Sequence, residues 1–197
     1  MCIRDRLTNS QFEELLAEYQ ASNEIDDLNV ANEQNDMVEK LIHKFFHFDN
    51  SDMSGKIVAY LNLLFNDIVR FIGKDFTPLN PLMKSEYMTN YCVTQKDEGL
   101  LSFNSGIDMS KSVAIAFASR YAKEEFHEFD EYVKASIEDF LNLHNGLFNV
   151  NMSNEFSLEL NLCPPEVHEE ETLTNATKIY VFPIIFPFGT IHFLMEI

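Results

Sequence analysis

The chain has 197 residues, 32 of them Asp or Glu against 14 Lys or Arg, for a formal net charge of −18 at pH 7. That length suits one well-cored domain with an appendage and is short for two full domains. Nucleic-acid binding rests on Lys and Arg neutralising phosphates, so a chain this acidic with no basic cluster is excluded from that class and is disfavoured at anionic membranes.

Met1 to Arg6 reads as an adapter-derived scar, which places the natural start upstream of Leu7. Residues 7–55 form an acidic helical extension or linker. Phe12, Leu15, Leu16 and Tyr19 recur at helical spacing after Ser10, and Met37, Leu41, Phe45 and Phe48 repeat the pattern before the loop-forming Asp49-Asn50-Ser51-Asp52. Residues 56–197 are the domain proper. Its first helix, Lys56 to Gly73, carries Ile57, Leu61, Leu64, Ile68 and Phe71 on one stripe. Short runs at Asn90 to Gln95 and Gly99 to Phe103, separated by Lys96-Asp97-Glu98, predict a hairpin.

Asp108 is placed to cap a helix bearing Val113, Phe117 and Tyr121, and a longer helix is expected from about Phe129 to Phe148. Alternation from Phe156 to Leu162, stopped by Pro164-Pro165, predicts a strand, and Glu166 to Glu171 an acidic loop. Further strands are expected at Lys178 to Phe182 and Thr190 to Met195. Pro183, Pro187 and Gly189 interrupt this last apolar run, so it suits two strands and a turn better than a membrane span. The fold class is α+β, with long helices packed on one face of a mostly antiparallel sheet.

The long helix holds the candidate site. Stepping about 100° per residue from Asp139 gathers Val133, Ile137, Phe140, Leu141, His144, Leu147 and Phe148 on one buried arc. Asn142 at about 300° and Gly146 at about 340° share the opposite, water-facing side with Asp139. A carboxylate, an amide and a gap are presented together.

The run Ser136 to Asn154, with Asp139-x-x-Asn142-x-x-x-Gly146 inside it, the following alternating strand and Pro164-Pro165-Glu166-Val167 together resemble the CheC/CheX family of chemotaxis phosphatases. The resemblance covers roughly residues 56–197 and rests mainly on residues 133–167. That family's signature is Glu-x-x-Asn with a glycine four residues after the Asn, so Asp139 departs from it by one methylene. Neither Asn62 nor Asn66 of the first helix completes a second motif, which points to the CheX-like branch.

The resemblance implies a CheX-like fold, a cytoplasmic bacterial protein of two-component signalling, and homodimers. It also implies hydrolysis of the aspartyl phosphate of a CheY-like receiver domain, which supplies its own Mg²⁺ and lysine. On that reading Asn142 orients the attacking water and Asp139 pairs with the receiver's lysine. An uncharged amide suits its post, because a carboxylate would be repelled by phosphate. Asp139 draws its carboxylate back by about 1 Å, a misplacement that can cost roughly a hundredfold. The alternative is a noncatalytic binding or dimerisation module within a truncated response regulator.

Other candidates are weaker. His43 and His47 lie four apart, but Lys-Phe-Phe between them lacks the glutamate of a zinc protease. Glu138 lies about 100° round the helix from Asp139 and reads as a spectator, and His144 reads as a packed core histidine. Cys92 and Cys163 are far apart with no secretory signal, which suits core thiols in a reducing compartment. No glycine run has phosphate-binding spacing, and no cofactor of the chain's own is expected.

Overall fold

The computed structural model describes residues 51–99 and 102–196; of the expected extension at residues 7–55, residues 7–50 lie outside them, and Ser51 and Asp52, expected in a loop, begin the first described helix. The chain divides into two compact units after Asn66. In the first, helix α1 (Ser51–Asp67) buries Ile57, Leu61 and Leu64, three members of the stripe read from the sequence. It passes into a π-helical turn, Ile68–Ile72, ended by Gly73.

The second unit begins at Asp67 and so includes that turn; among its described residues it has an eight-stranded, wholly antiparallel sheet and two α-helices. In chain order it comprises β1 (Thr77–Pro78), β2 (Leu82–Met88), β3 (Tyr91–Gly99), β4 (Phe103–Met109), α2 (Lys111–Ala122), α3 (Glu131–Phe156), β5 (Leu160–Leu162), β6 (Glu166–Glu169), β7 (Thr172–Phe186) and β8 (Gly189–Glu196). The main path runs β1-β7-β8-β4-β3-β5, with β2 also beside β7 and β6 beside β3.

The strands next to the two ends of that path, β7 and β3, are joined by one bent ribbon. Met88 faces Thr172 and Tyr91 faces Glu169, and between them Thr89 N–H donates to Glu171 O and Glu170 N–H to Asn90 O. Past a shift between Lys84 and Glu86, the register therefore continues from β2/β7 into β3/β6 and curls the sheet.

Alternation assigns the two faces. Phe103, Ile107, Ile191, Phe193, Phe182 and Ile184 meet the helices, where Phe140 packs edge-on to Phe117 and Phe148 edge-on to Phe103. On the other face, under the curl, Tyr87, Cys92, Ile179, Val181 and Leu194 form a smaller core with Leu173 against it. Each such side chain, fully buried, contributes about 1.5–3 kcal/mol. The β7–β8 hairpin closes at Gly189, whose φ of 140° and the Val113 side chain against it exclude any Cβ.

Several expectations shift. Lys96-Asp97-Glu98 continues β3 instead of separating two strands, and β4 extends through Asp108 and Met109. Asp108 is therefore no helix cap; Ser110 takes that position, and Asp108 is fully buried with its carboxylate bonded to Tyr87 and Asn90. Helix α3 runs eight residues past Phe148 to Phe156, absorbing the start of the expected strand, and Ser157 ends it in the left-handed conformation. Glu166–Glu169 is a strand rather than a loop.

Candidate functional site

Helix α3 starts where Asp130 accepts hydrogen bonds from Tyr132 N–H and Val133 N–H, both at 3.1 Å. The phase set there buries Val133, Ile137, Phe140, Leu141, His144 and Phe148, as the arc requires, and leaves Asp139 and Asn142 exposed. Gly146 lies on the same side one turn on, and a Cβ built there would meet nothing within 4 Å. The fold itself thus sets no steric demand for glycine at this position.

Both polar side chains are held from behind. The Asp139 carboxylate accepts from Tyr121 Oη of α2 at 2.6 Å, and burial and that bond raise the phenol's pKa. Tyr121 is fixed in turn by edge contacts with Phe71 and Phe140 and by stacking on Phe117. Asn142 Oδ1 accepts from Gln95 Nε2 of β3 at 2.9 Å.

Gln95 belongs to a polar seam between α3 and the sheet. Its Nε2 also donates to Cys163 O at 2.8 Å, while its Oε1 accepts from Asn145 Nδ2 at 2.9 Å. Asn145 exchanges further bonds with Ser105 Oγ. One turn beyond, Asn149 Nδ2 donates to Asp97 Oδ1 at 2.6 Å, and burial pushes the Asp97 carboxyl up to about 6. His144 is a core histidine bonded through Nδ1 to Asp67 Oδ2 at 2.8 Å; burial lowers its pKa, against the pull of that carboxylate.

The expected pair therefore occurs on one exposed face, but Gln95, Tyr121 and Asn145 were not singled out as site residues. A signal for the seam was available. Tyr91, Val93, Gln95 and Asp97 lie on one face of β3, so its last two polar residues must meet partners on the covering helix, and Asn142, Asn145 and Asn149 recur there at helical spacing. Tyr121 reads in sequence only as a member of an apolar stripe.

Among the described residues no three His, Cys, Asp or Glu side chains converge as a metal site requires, and no helix is long and apolar enough to cross a membrane.

No family model and no curated protein matches the sequence. Solved structures do. CheX from Desulfovibrio desulfuricans aligns with a TM-score of 0.60 at 14% identity, covering 72% of this chain and 97% of that one. A CheC-like superfamily protein from Shewanella sp. PV-4 gives 0.62 at 16% identity, over 75% and 97%. CheX from Borrelia burgdorferi, solved as a complex with CheY, BeF3 and Mg²⁺, gives 0.60 at 18% identity, over 72% and 96%. The chain has the CheC/CheX-type fold.

Proposed function

We propose that this domain docks on a phosphorylated CheY-like receiver and promotes hydrolysis of its aspartyl phosphate. The observation that carries the reading is the row of exposed Asp139 and Asn142 and half-buried Gly146 on one side of α3 of a CheX-type fold, with open space over the glycine. The Borrelia neighbour's complex with CheY supports the choice of partner.

In the reaction, a water oxygen attacks phosphorus in line and the bond from phosphorus to the receiver's carboxylate oxygen breaks. The receiver's aspartate is regenerated and the water's proton leaves with inorganic phosphate. The Mg²⁺ and lysine that neutralise the phosphoryl oxygens belong to the receiver, so positioning is the main contribution open to the second protein. Asn142 Oδ1 has a second lone pair beyond the Gln95 bond with which to hold the water. Asp139 would meet the receiver's lysine, exchanging its bond to Tyr121 for an ion pair. The resemblance also implies a homodimer in the cytoplasm, for which sedimentation equilibrium is the direct measurement.

The test is phosphate release from a phosphorylated receiver in Mg²⁺, with the parent, Asn142→Ala and Asp139→Glu. Acceleration by the parent that disappears in Asn142→Ala supports catalysis, and a faster Asp139→Glu identifies the shorter acid as an attenuation.

A second reading, a noncatalytic binding module, is favoured by one observation: the Asp139 carboxylate is already engaged by Tyr121 within the chain. It predicts receiver binding with no acceleration by any of the three forms.

A further inference from the structure

We infer that Gln95 is the positioning residue for Asn142, locking its amide so that the NH2 group faces the partner; the assignment builds on the phosphatase reading above. The argument starts from a group with no freedom. Cys163 O is a backbone carbonyl and only accepts, so the Gln95 atom 2.8 Å from it must be the donor Nε2. A flipped Gln95 would set two carbonyl oxygens against each other at a residue only 1% exposed.

With Nε2 so placed, Oε1 is left to accept from Asn145 Nδ2, as it does at 2.9 Å. The second Nε2 hydrogen then points at Asn142, at 2.9 Å, and only an acceptor can meet it. Asn142 must present Oδ1 inward. Its Nδ2, which has no hydrogen-bond partner among the described residues, is turned outward with two donors.

The outward face is therefore donor-rich beside one remaining carbonyl lone pair. That combination suits an anionic oxygen with a water next to it: Nδ2 donates to a phosphoryl oxygen while Oδ1 accepts from the water that attacks. Without Gln95 the amide rotates freely between two opposite presentations, and only one of them is productive. Because Gln95 is buried and touches no ligand, its loss acts on kcat far more than on KM.

Two measurements decide the matter. In the unmutated chain, side-chain amide exchange followed by ¹⁵N NMR should show both Gln95 Nε2 protons protected and the Asn142 Nδ2 protons exchanging as in free peptide. Protected Asn142 Nδ2 protons, or rapidly exchanging Gln95 protons, would overturn the assignment.

In phosphate release from a phosphorylated CheY-like receiver, Gln95→Met should lower kcat roughly ten- to hundredfold with KM within about twofold. An unchanged kcat in folded Gln95→Met, or a KM that rises as much as kcat falls, would sink the positioning role. If the parent itself gives no acceleration, the phosphatase reading fails, and the exchange pattern still decides which way Asn142 faces.

Discussion

A carboxyl group placed where water is absent must choose its protonation state, and Asp97 is such a group. It is 0% exposed, its carboxyl accepts a hydrogen bond from Asn149 Nδ2, and its pKa is raised to about 6 by burial. In the unfolded chain it titrates near 3.9. Between those values the folded state holds one more proton than the unfolded state, so this contribution is complete below about pH 4 and is lost as pH rises through about 6. Asp97→Asn should remove that dependence, raising stability at pH 7 by on the order of 3 kcal/mol while leaving it little changed at pH 4. Paired urea titrations at the two pH values check this, and equal effects at both would refute it.

Gly146 poses the opposite case. A helical glycine costs about 0.5–1 kcal/mol relative to alanine, and here no neighbour within 4 Å requires it. Gly146→Ala should therefore raise the thermal midpoint and weaken receiver binding. A midpoint that falls would show that the position serves the fold instead.

At the scale of elements, α3 carries nearly everything the candidate site needs, and its start depends on one side chain. Asp130→Ala removes the acceptor of two backbone N–H groups and should cost about 1 kcal/mol, seen as a lower urea midpoint with an unchanged slope.

The same helix was the most legible element, because its buried arc repeats with the 3.6-residue period over several turns. Strand β2 was illegible for the converse reason. Six of its seven residues are exposed and only Tyr87 is buried, so Leu82 to Met88 shows no alternation. Asp108 misled because a buried aspartate in a strand is stabilised by Tyr87 and Asn90, 21 and 18 residues away, whereas a helix cap is a local pattern. The candidate pair Asp139 and Asn142 was readable from helical phase alone. The identities of their holders, Tyr121 and Gln95, depend on which elements pack together, and a single element's pattern does not contain that.

For the whole molecule, the curl of the sheet is latched by a bond across it. Tyr87 Oη on β2 donates to Asp108 Oδ2 of β4 at 2.8 Å and lies 2.8 Å from His192 Nδ1 of β8. The phenol has one proton and gives it to the carboxylate, so His192 Nδ1 must carry the hydrogen that completes the chain. Tyr87→Phe keeps the ring in the smaller core but strips a fully buried carboxylate of a donor, at an expected cost of about 1–3 kcal/mol in urea unfolding. A change within experimental error would show that the apolar cluster alone holds the curl.

The bent ribbon also fixes the order of events in synthesis. Thr89 bonds Glu171, 82 positions away, and Tyr87 reaches His192 across 105, so β2 waits for β7, and Tyr87 for β8, to leave the ribosome. Until then Tyr87 of β2, buried in the finished sheet, is open to other chains, whereas β3 can pair early with β4. Such long-range pairing favours refolding in milliseconds to seconds rather than microseconds. A nascent chain halted before Thr172 would be a natural client for a holdase chaperone.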